Sequence, residues 1–255
     1  MSVVLSYIVK PLILSVATAE MSFQTYLAYI GEKKRRAYVM WYIEGREKKI
    51  LVDTAIEAQQ YRDYSPLFKN FVFEHIQTFE QALEVVNCRP EEIDIVIQTH
   101  LHFDHCMNTA RCVNAEVYVQ EDELTFALDP HPIFSNIYRR SLFEDLNLKV
   151  VNGDTNLMDG IDLLSVPGHS PGCQGVLVQS PRGKVAISGF CSLSENFSLP
   201  DDVQTGISPF ATPAGIIPGI HTNPFEAYES LLKIKSSADI VIPLHDYEMA
   251  KKQEI

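Results

Sequence analysis

Between Gln98 and His105 the chain reads Gln-Thr-His-Leu-His-Phe-Asp-His, which puts three imidazoles and a carboxylate into six residues directly after the mostly apolar run 93–97. Imidazole nitrogen and carboxylate oxygen are the donors of a catalytic divalent metal, and His100 and His102, two apart on an extended chain, project to one side. The block reads as a metal site. Histidine supplies only 8 of 255 residues, so a chance cluster on a surface loop is the poorer account.

Further donors stand where strands are predicted to end. Residues 37–43 and 49–53 are rich in β-branched and aromatic side chains on either side of a polar turn, a hairpin pattern. Residues 80–87 have helical spacing and stop before Arg89-Pro90; the strand 94–98 follows and delivers the histidine block. Residues 116–120 read as a strand, 121–128 as a helix, and 135–142 as a second helix without a clean apolar face. Strands at 148–151 and 161–166 flank the turn Asn152-Gly153-Asp154, the second leading into Pro167-Gly168-His169-Ser170-Pro171-Gly172. A hairpin over 175–188 ends at Gly189-Phe190-Cys191. Residues 197–222 form a long irregular connection of the kind that borders binding sites. Asn223 as cap, Pro224 and Glu226 then start a helix whose apolar stripe is Phe225, Leu231, Leu232 and Ile234. A last strand, 239–243, ends at Leu244-His245-Asp246. Strand ends that share one sheet edge would gather these donors.

Composition narrows the function. With 46% hydrophobic residues, the chain can bury a full core, and residues 1–255 read as one domain. Asp plus Glu outnumber Lys plus Arg by 33 to 21, a formal charge of −12, which gives a nucleic-acid groove no electrostatic footing. Five cysteines, at 88, 106, 112, 173 and 191, show no paired framework, as in a reducing, cytoplasmic setting. Residues 1–19 are apolar and end in small residues like a cleavable leader. However, no positive charge precedes the run and Lys10-Pro11 breaks it, so it reads as the first strands of the domain and not as a membrane span.

Taken in order, Leu51-Val52-Asp53-Thr54, the His-x-His-x-Asp-His block, Gly168-His169-Ser170-Pro171-Gly172, the segment 189–197 and Pro243-Leu244-His245-Asp246 resemble the metallo-β-lactamase superfamily, and within it the N-acyl homoserine lactonase branch. The resemblance implies an α/β, four-layer αββα sandwich with a dinuclear site at one edge of the paired sheets. It assigns His100, His102 and His169 to one metal, and Asp104, His105 and His245 to the second. It places Asp53 behind the ligand histidines. Asp104 and His245 are also the residues expected in catalysis, and Phe190, Ser194 and His221 those expected at the substrate. Two zinc ions per chain are implied, the second more weakly held.

Two departures stand out. The family's bridging aspartate falls at Phe190, which cannot ligate, and its carbonyl-polarising tyrosine falls in Ser192-Leu193-Ser194. Cys191 then reads either as a thiolate ligand of the second metal, favouring zinc, or as a buried thiol. Cys106 and Cys173 are expected on the pocket wall, and the aromatics at 61–73 in the core or over an acyl chain.

The resemblance implies water that zinc acidifies to a pKa of about 7, attacking the carbonyl of a cyclic ester or amide. A thioester or β-lactam hydrolase is the enzymatic rival. From another class comes a metal, ligand or thiol-redox sensor. The expected partner is a small-molecule substrate, with neither nucleic acid nor membrane, and a homodimer is left open.

Overall fold

Alternation along the strands builds the layers. In β2 (Lys33–Glu44), Val39, Trp41 and Ile43 point to one face while Tyr38, Met40 and Tyr42 point to the other, and all six are buried. A strand apolar on both faces must be covered on both, so its sheet needs a second sheet on one side and helices on the other. The computed structural model, which describes residues 6–45, 48–64, 72–190, 193–198 and 207–255, has this arrangement.

Among the described residues, β1 (Ile8–Glu20), β2, β3 (Lys49–Val52), β4 (Phe73–His75), β5 (Ile95–Ile97), β6 (Glu116–Gln120) and β7 (Leu148–Val151) form one sheet in the order β4-β1-β2-β3-β5-β6-β7. The strands β8 (Thr155–Met158), β9 (Ile161–Ser165), β10 (Gln174–Ser180), β11 (Gly183–Ile187) and β12 (Ile240–Ile242) form the other, ordered β12-β11-β10-β9-β8. Between them lies a core of Val39, Trp41, Ile50 and Ile97 against Leu163, Val176, Val185 and Ile187. The helices α1 (Ala58–Tyr64) and α2 (Phe79–Glu84) cover the outer face of the first sheet. Four shorter or later helices complete the order before the C-terminus: α3 (Phe103–Cys106), α4 (Glu121–Leu128), α5 (Ser194–Phe197) and α6 (Pro224–Ser237), with α7 (Tyr247–Ala250) last. Of these, α6 covers the outer face of the second sheet through Leu231 and Ile234. The result is the expected αββα sandwich.

Strand direction decides which end carries chemistry. β3, β5 and β6 run parallel, so their C-terminal ends share one edge, while β2 runs antiparallel to β3 and brings its start to that same edge. The loops after β9, β11 and β12 meet them from the second sheet. Segment 8–20 is a long strand paired along β2, as a first strand should be.

Several local expectations change. Residues 135–142 hold only a 3-10 turn at Arg140–Leu142, because Arg139 turns aside to donate to the Tyr64 carbonyl at 2.8 Å and to cover the Tyr64 ring. The turn at 152–154 carries the chain from one sheet to the other, and β8, unanticipated, pairs with β9. On α6, Phe225 and Leu232 are exposed; Ala227 and Ser230 join Leu231 and Ile234 on the buried face. The Asn223 cap holds, its Oδ1 accepting from the amides of Phe225 and Glu226.

Trp41 is fully buried between the sheets, and its Nε1 has no hydrogen-bond partner among the described residues. Trp41→Ala should lower unfolding free energy by about 3–5 kcal/mol. Trp41→Phe, which removes no hydrogen bond, should cost clearly less; urea midpoints followed by circular dichroism compare the two.

Candidate metal centre

The edge gathers two groups of donors: His100, His102 and His169, and Asp104, His105 and His245, the ligand atoms in each group lying within 4.8 Å of one another. They come from four places: the loop after β5, α3, the loop after β9 and the loop after β12.

Hydrogen bonds behind the rings fix which nitrogen faces the pocket. His169 Nδ1 donates to the Ile220 carbonyl at 2.6 Å, and His245 Nδ1 to the Ala37 carbonyl at 2.8 Å. His105 Nδ1 donates to Asp53 Oδ2 at 2.7 Å. Thr99 Oγ1 gives its proton to Asp53 Oδ2 at 2.8 Å, so at 2.9 Å it accepts from His100 Nδ1. Each of these four rings therefore turns its Nε2 inward, and on His100, His169 and His245, which burial keeps neutral, that nitrogen carries a lone pair. In particular, His100 Nε2 and His169 Nε2 face each other at 3.2 Å. Two lone pairs at that distance repel unless a cation lies between them. The first donor set thus fits a metal on its own geometry.

Burial supports neutral, ligating imidazoles. It pushes His100, His102 and His245 well below the usual histidine value, with neighbouring charged groups adding to the effect, and it brings His169 down to about 4. At His105 burial acts the same way, but the carboxylates of Asp53 and Asp104 outweigh it and hold the pKa above the ordinary value.

Asp53 ties the edge together. Its carboxylate accepts from the Thr99 amide and hydroxyl and from His105, linking the tip of β3 to the histidine loop. Its φ of 58° is unusual for a non-glycine residue and is what turns the side chain under that loop.

A second buried carboxylate, Glu123, was not anticipated. It accepts from the Leu101 amide at 2.8 Å, the Ser170 hydroxyl at 2.5 Å and the Tyr138 hydroxyl at 3.1 Å, and so joins the two histidine loops. Gly172 is required there, since a Cβ would lie 1.9 Å from the Glu123 amide nitrogen.

Arg36, at the start of β2, was missed as well. Its Nη2 donates to Asp104 Oδ2 at 3.0 Å and to His245 Nε2 at 2.8 Å, inside the second donor set. Beside it, Tyr38 and Tyr61 share a hydroxyl hydrogen bond, and burial raises the pKa of both, keeping them protonated.

A cavity of about 210 Å³ opens onto both donor sets. Its walls are chiefly apolar, with Phe23, Phe103, Ile137, Phe190, Ile220 and Leu244 among them. Tyr61 lines it too, while Tyr64 and Phe73 pack behind, stacked on Phe103 and Tyr61; Phe68 and Phe71 lie outside the described residues.

Other expected positions fall elsewhere. His221 does not border the cavity: its Nδ1 bonds the Pro218 carbonyl and its ring stands edge-on to Tyr26. Ser194 caps Asp246, its hydroxyl donating to Oδ2 at 2.8 Å, and also lies off the cavity. Cys106 and Cys173 are buried behind the wall, donating to the carbonyls of Leu101 and Gly189. Cys191 and Ser192 lie outside the described residues.

Comparison with known proteins gives the chain a family and its fold known counterparts. Residues 35–245 match the family described as the Metallo-beta-lactamase superfamily. N-acyl homoserine lactonase AiiA of Bacillus thuringiensis subsp. kurstaki is 28% identical over 218 residues, spanning 82% of this chain and 81% of the relative. N-acyl homoserine lactonase AttM of Rhizobium radiobacter is 34% identical over 103 residues, 37% and 39% of the two chains. Among solved structures, B. thuringiensis AiiA with N-decanoyl-L-homoserine at its active site superposes with a TM-score of 0.73 at 22% identity, covering 97% of this chain and 96% of that one. AidC, a dizinc quorum-quenching lactonase in complex with a homoserine product, gives 0.65 at 19% identity over 98% and 90%.

Because Asp53 orients both His105 and the Thr99–His100 pair, Asp53→Ala should weaken metal binding about 10–100-fold, as loss of a group behind a ligand generally does. Chelator competition on the purified protein measures it, and unchanged affinity would deny Asp53 that role.

Proposed function

The chain belongs to the metallo-beta-lactamase superfamily, and on that premise we propose that it is a metal-dependent hydrolase that opens the ring of a lactone bearing an apolar acyl chain, with N-acyl homoserine lactones as the substrate class. The observation that carries this reading is the facing pair of lone pairs on His100 and His169 in the lining of an apolar cavity.

His100, His102 and His169 would hold the ion, and zinc suits three imidazoles as an ion of borderline softness. Bound there, it would supply Lewis acidity and a water acidic enough to be deprotonated near neutral pH. The chain does the rest. Asp104, in the second donor set and lining the cavity, has a carboxylate that can take a proton from attacking water and return it to the leaving ring oxygen. Arg36, held against Asp104, offers positive charge to oxygen that becomes anionic as the ring opens. The protonated hydroxyls of Tyr38 and Tyr61 are nearby donors for the lactone carbonyl, the role for which segment 192–194 has no tyrosine.

The walls argue for the acyl chain. Phe103, Ile137, Phe190 and Leu244 offer no hydrogen bond from their side chains, so they discriminate by apolar contact, worth about 0.8 kcal/mol per buried methylene. Phe23 and Ile220 are partly exposed at 60% and 36% and form the rim over which a longer chain would leave.

The test is ring opening of N-acyl homoserine lactones by the zinc-loaded protein, followed by pH indicator. N-decanoyl substrate should exceed N-butanoyl in kcat/KM by at least about tenfold, given that methylene increment. Asp104→Asn should lose about 10²–10⁴ in kcat/KM, the usual contribution of a positioned acid–base group. No zinc-dependent turnover across the acyl series would end this reading.

A further inference from the structure

The second donor set differs from the first in one respect: a cation belonging to the chain already stands in it. Arg36 Nη2 reaches Asp104 Oδ2 at 3.0 Å and His245 Nε2 at 2.8 Å, while those two atoms are 3.9 Å apart. A zinc ion binds oxygen and imidazole nitrogen at about 2.0–2.2 Å. To satisfy both atoms it must sit close to the line joining them. From the three distances and those bond lengths, the ion would lie about 2–3 Å from Nη2, against a like-charged N–H group that cannot ligate. The guanidinium and an ion exclude each other.

The arginine is built in and does not simply hang in the pocket. It lies mid-ladder on β2, paired with Ala17 on one side and bridged to Asp246 on the other. The adjacent Ala37 amide donates to the His245 carbonyl at 3.0 Å, fixing the β2 start to the loop that carries His245. Its charge sits 5.0 Å over the Tyr38 ring, and its side chain is 16% exposed. His245 Nδ1 is committed to the Ala37 carbonyl, so its Nε2 has only the lone pair that Nη2 now fills. The Arg36 Nε has no partner among the described residues.

Charge points the same way. Asp104, His105 and His245 bring one carboxylate and two imidazoles, and that one negative charge is already matched by Arg36. Phe190, on the same cavity wall, supplies no further donor.

We infer that Arg36 takes the place of a second metal ion, so that the protein works with one ion per chain, at His100, His102 and His169, and with a fixed guanidinium at Asp104 and His245. This rests on the reading of the first donor set as a metal site. The guanidinium keeps Asp104 and His245 in register and gives the cavity a positive charge that cannot be chelated away.

Cobalt(II) titration of the metal-free protein, followed by its visible absorption and checked by elemental analysis, decides the matter without recourse to activity. The wild type should saturate at one equivalent, and Arg36→Ala at two. If the alanine variant does not fold, Arg36→Met keeps the packing of the stem and should also take two. A wild type that saturates at two equivalents, or a folded variant that stops at one, overturns the inference. Uptake of no cobalt at all would instead bring down the metal site beneath it, and hydrolysis with two bound ions would leave the proposed function standing while removing the role given to Arg36.

Discussion

Imidazoles can crowd into one strand-tip pocket only if something behind each ring decides which nitrogen it exposes. Here the deciding acceptors are the Asp53 carboxylate, the Thr99 hydroxyl and the carbonyls of Ile220 and Ala37. They come from four segments, and each holds an Nδ1–H so that Nε2 points inward. Neutral rings turned toward one another are a poor arrangement for a bare protein and a good one for a cation. Much of the rest of the fold serves to bring those acceptors to one edge.

The two buried carboxylates divide that work. Asp53 fastens the first-sheet strand tips to the histidine block, and Glu123 fastens the block to the loop after β9, across the gap between the sheets. Burial pushes the Glu123 carboxyl up, against hydrogen bonds from Leu101, Ser170 and Tyr138 that favour its charged form. Such a group is costly to bury, about 1–3 kcal/mol if left unpaired, and is tolerated only where its partners are complete. The close approach at Gly172 belongs to the same junction: a residue with a side chain there would push the loop after β9 away from the start of α4, which carries Glu123.

How much of this was legible in the sequence follows from what each feature depends on. The His-x-His-x-Asp-His block, Gly168-His169 and Leu244-His245 were readable because their chemistry lies in local order, and the strands before them because apolar runs mark buried strands. β8 was not, since Thr-Asn-Leu-Met has weak strand character and forms by pairing with β9. Arg36 was hidden more deeply. It sits in the basic run Lys33-Lys34-Arg35-Arg36, which reads as a solvated strand start, and only the antiparallel turn of β2 against β3 brings the last of the four to the donor edge. His221 and Ser194 misled for the opposite reason: they lie close in sequence to the pocket, yet spend their polar atoms on Pro218 and Asp246.

The same physics connects Phe190, a departure from the family pattern, with Arg36. Where a bridging aspartate is expected, the chain has Phe190, and one negative charge is lost from the pocket. Two dications without that carboxylate would leave the site less compensated in a poorly solvated place, where even single charges at 4 Å interact by about 4 kcal/mol and the doubled charges of ions by more. Exchanging one dication for a guanidinium lowers the positive charge by one and restores the balance. The guanidinium also needs no ligand bridge, since its hydrogen bonds to Asp104 and His245 hold it in place. Phe190 and Arg36 are therefore complementary in charge: the wall at residue 190 is apolar, and the cation held against Asp104 carries one positive charge in place of two.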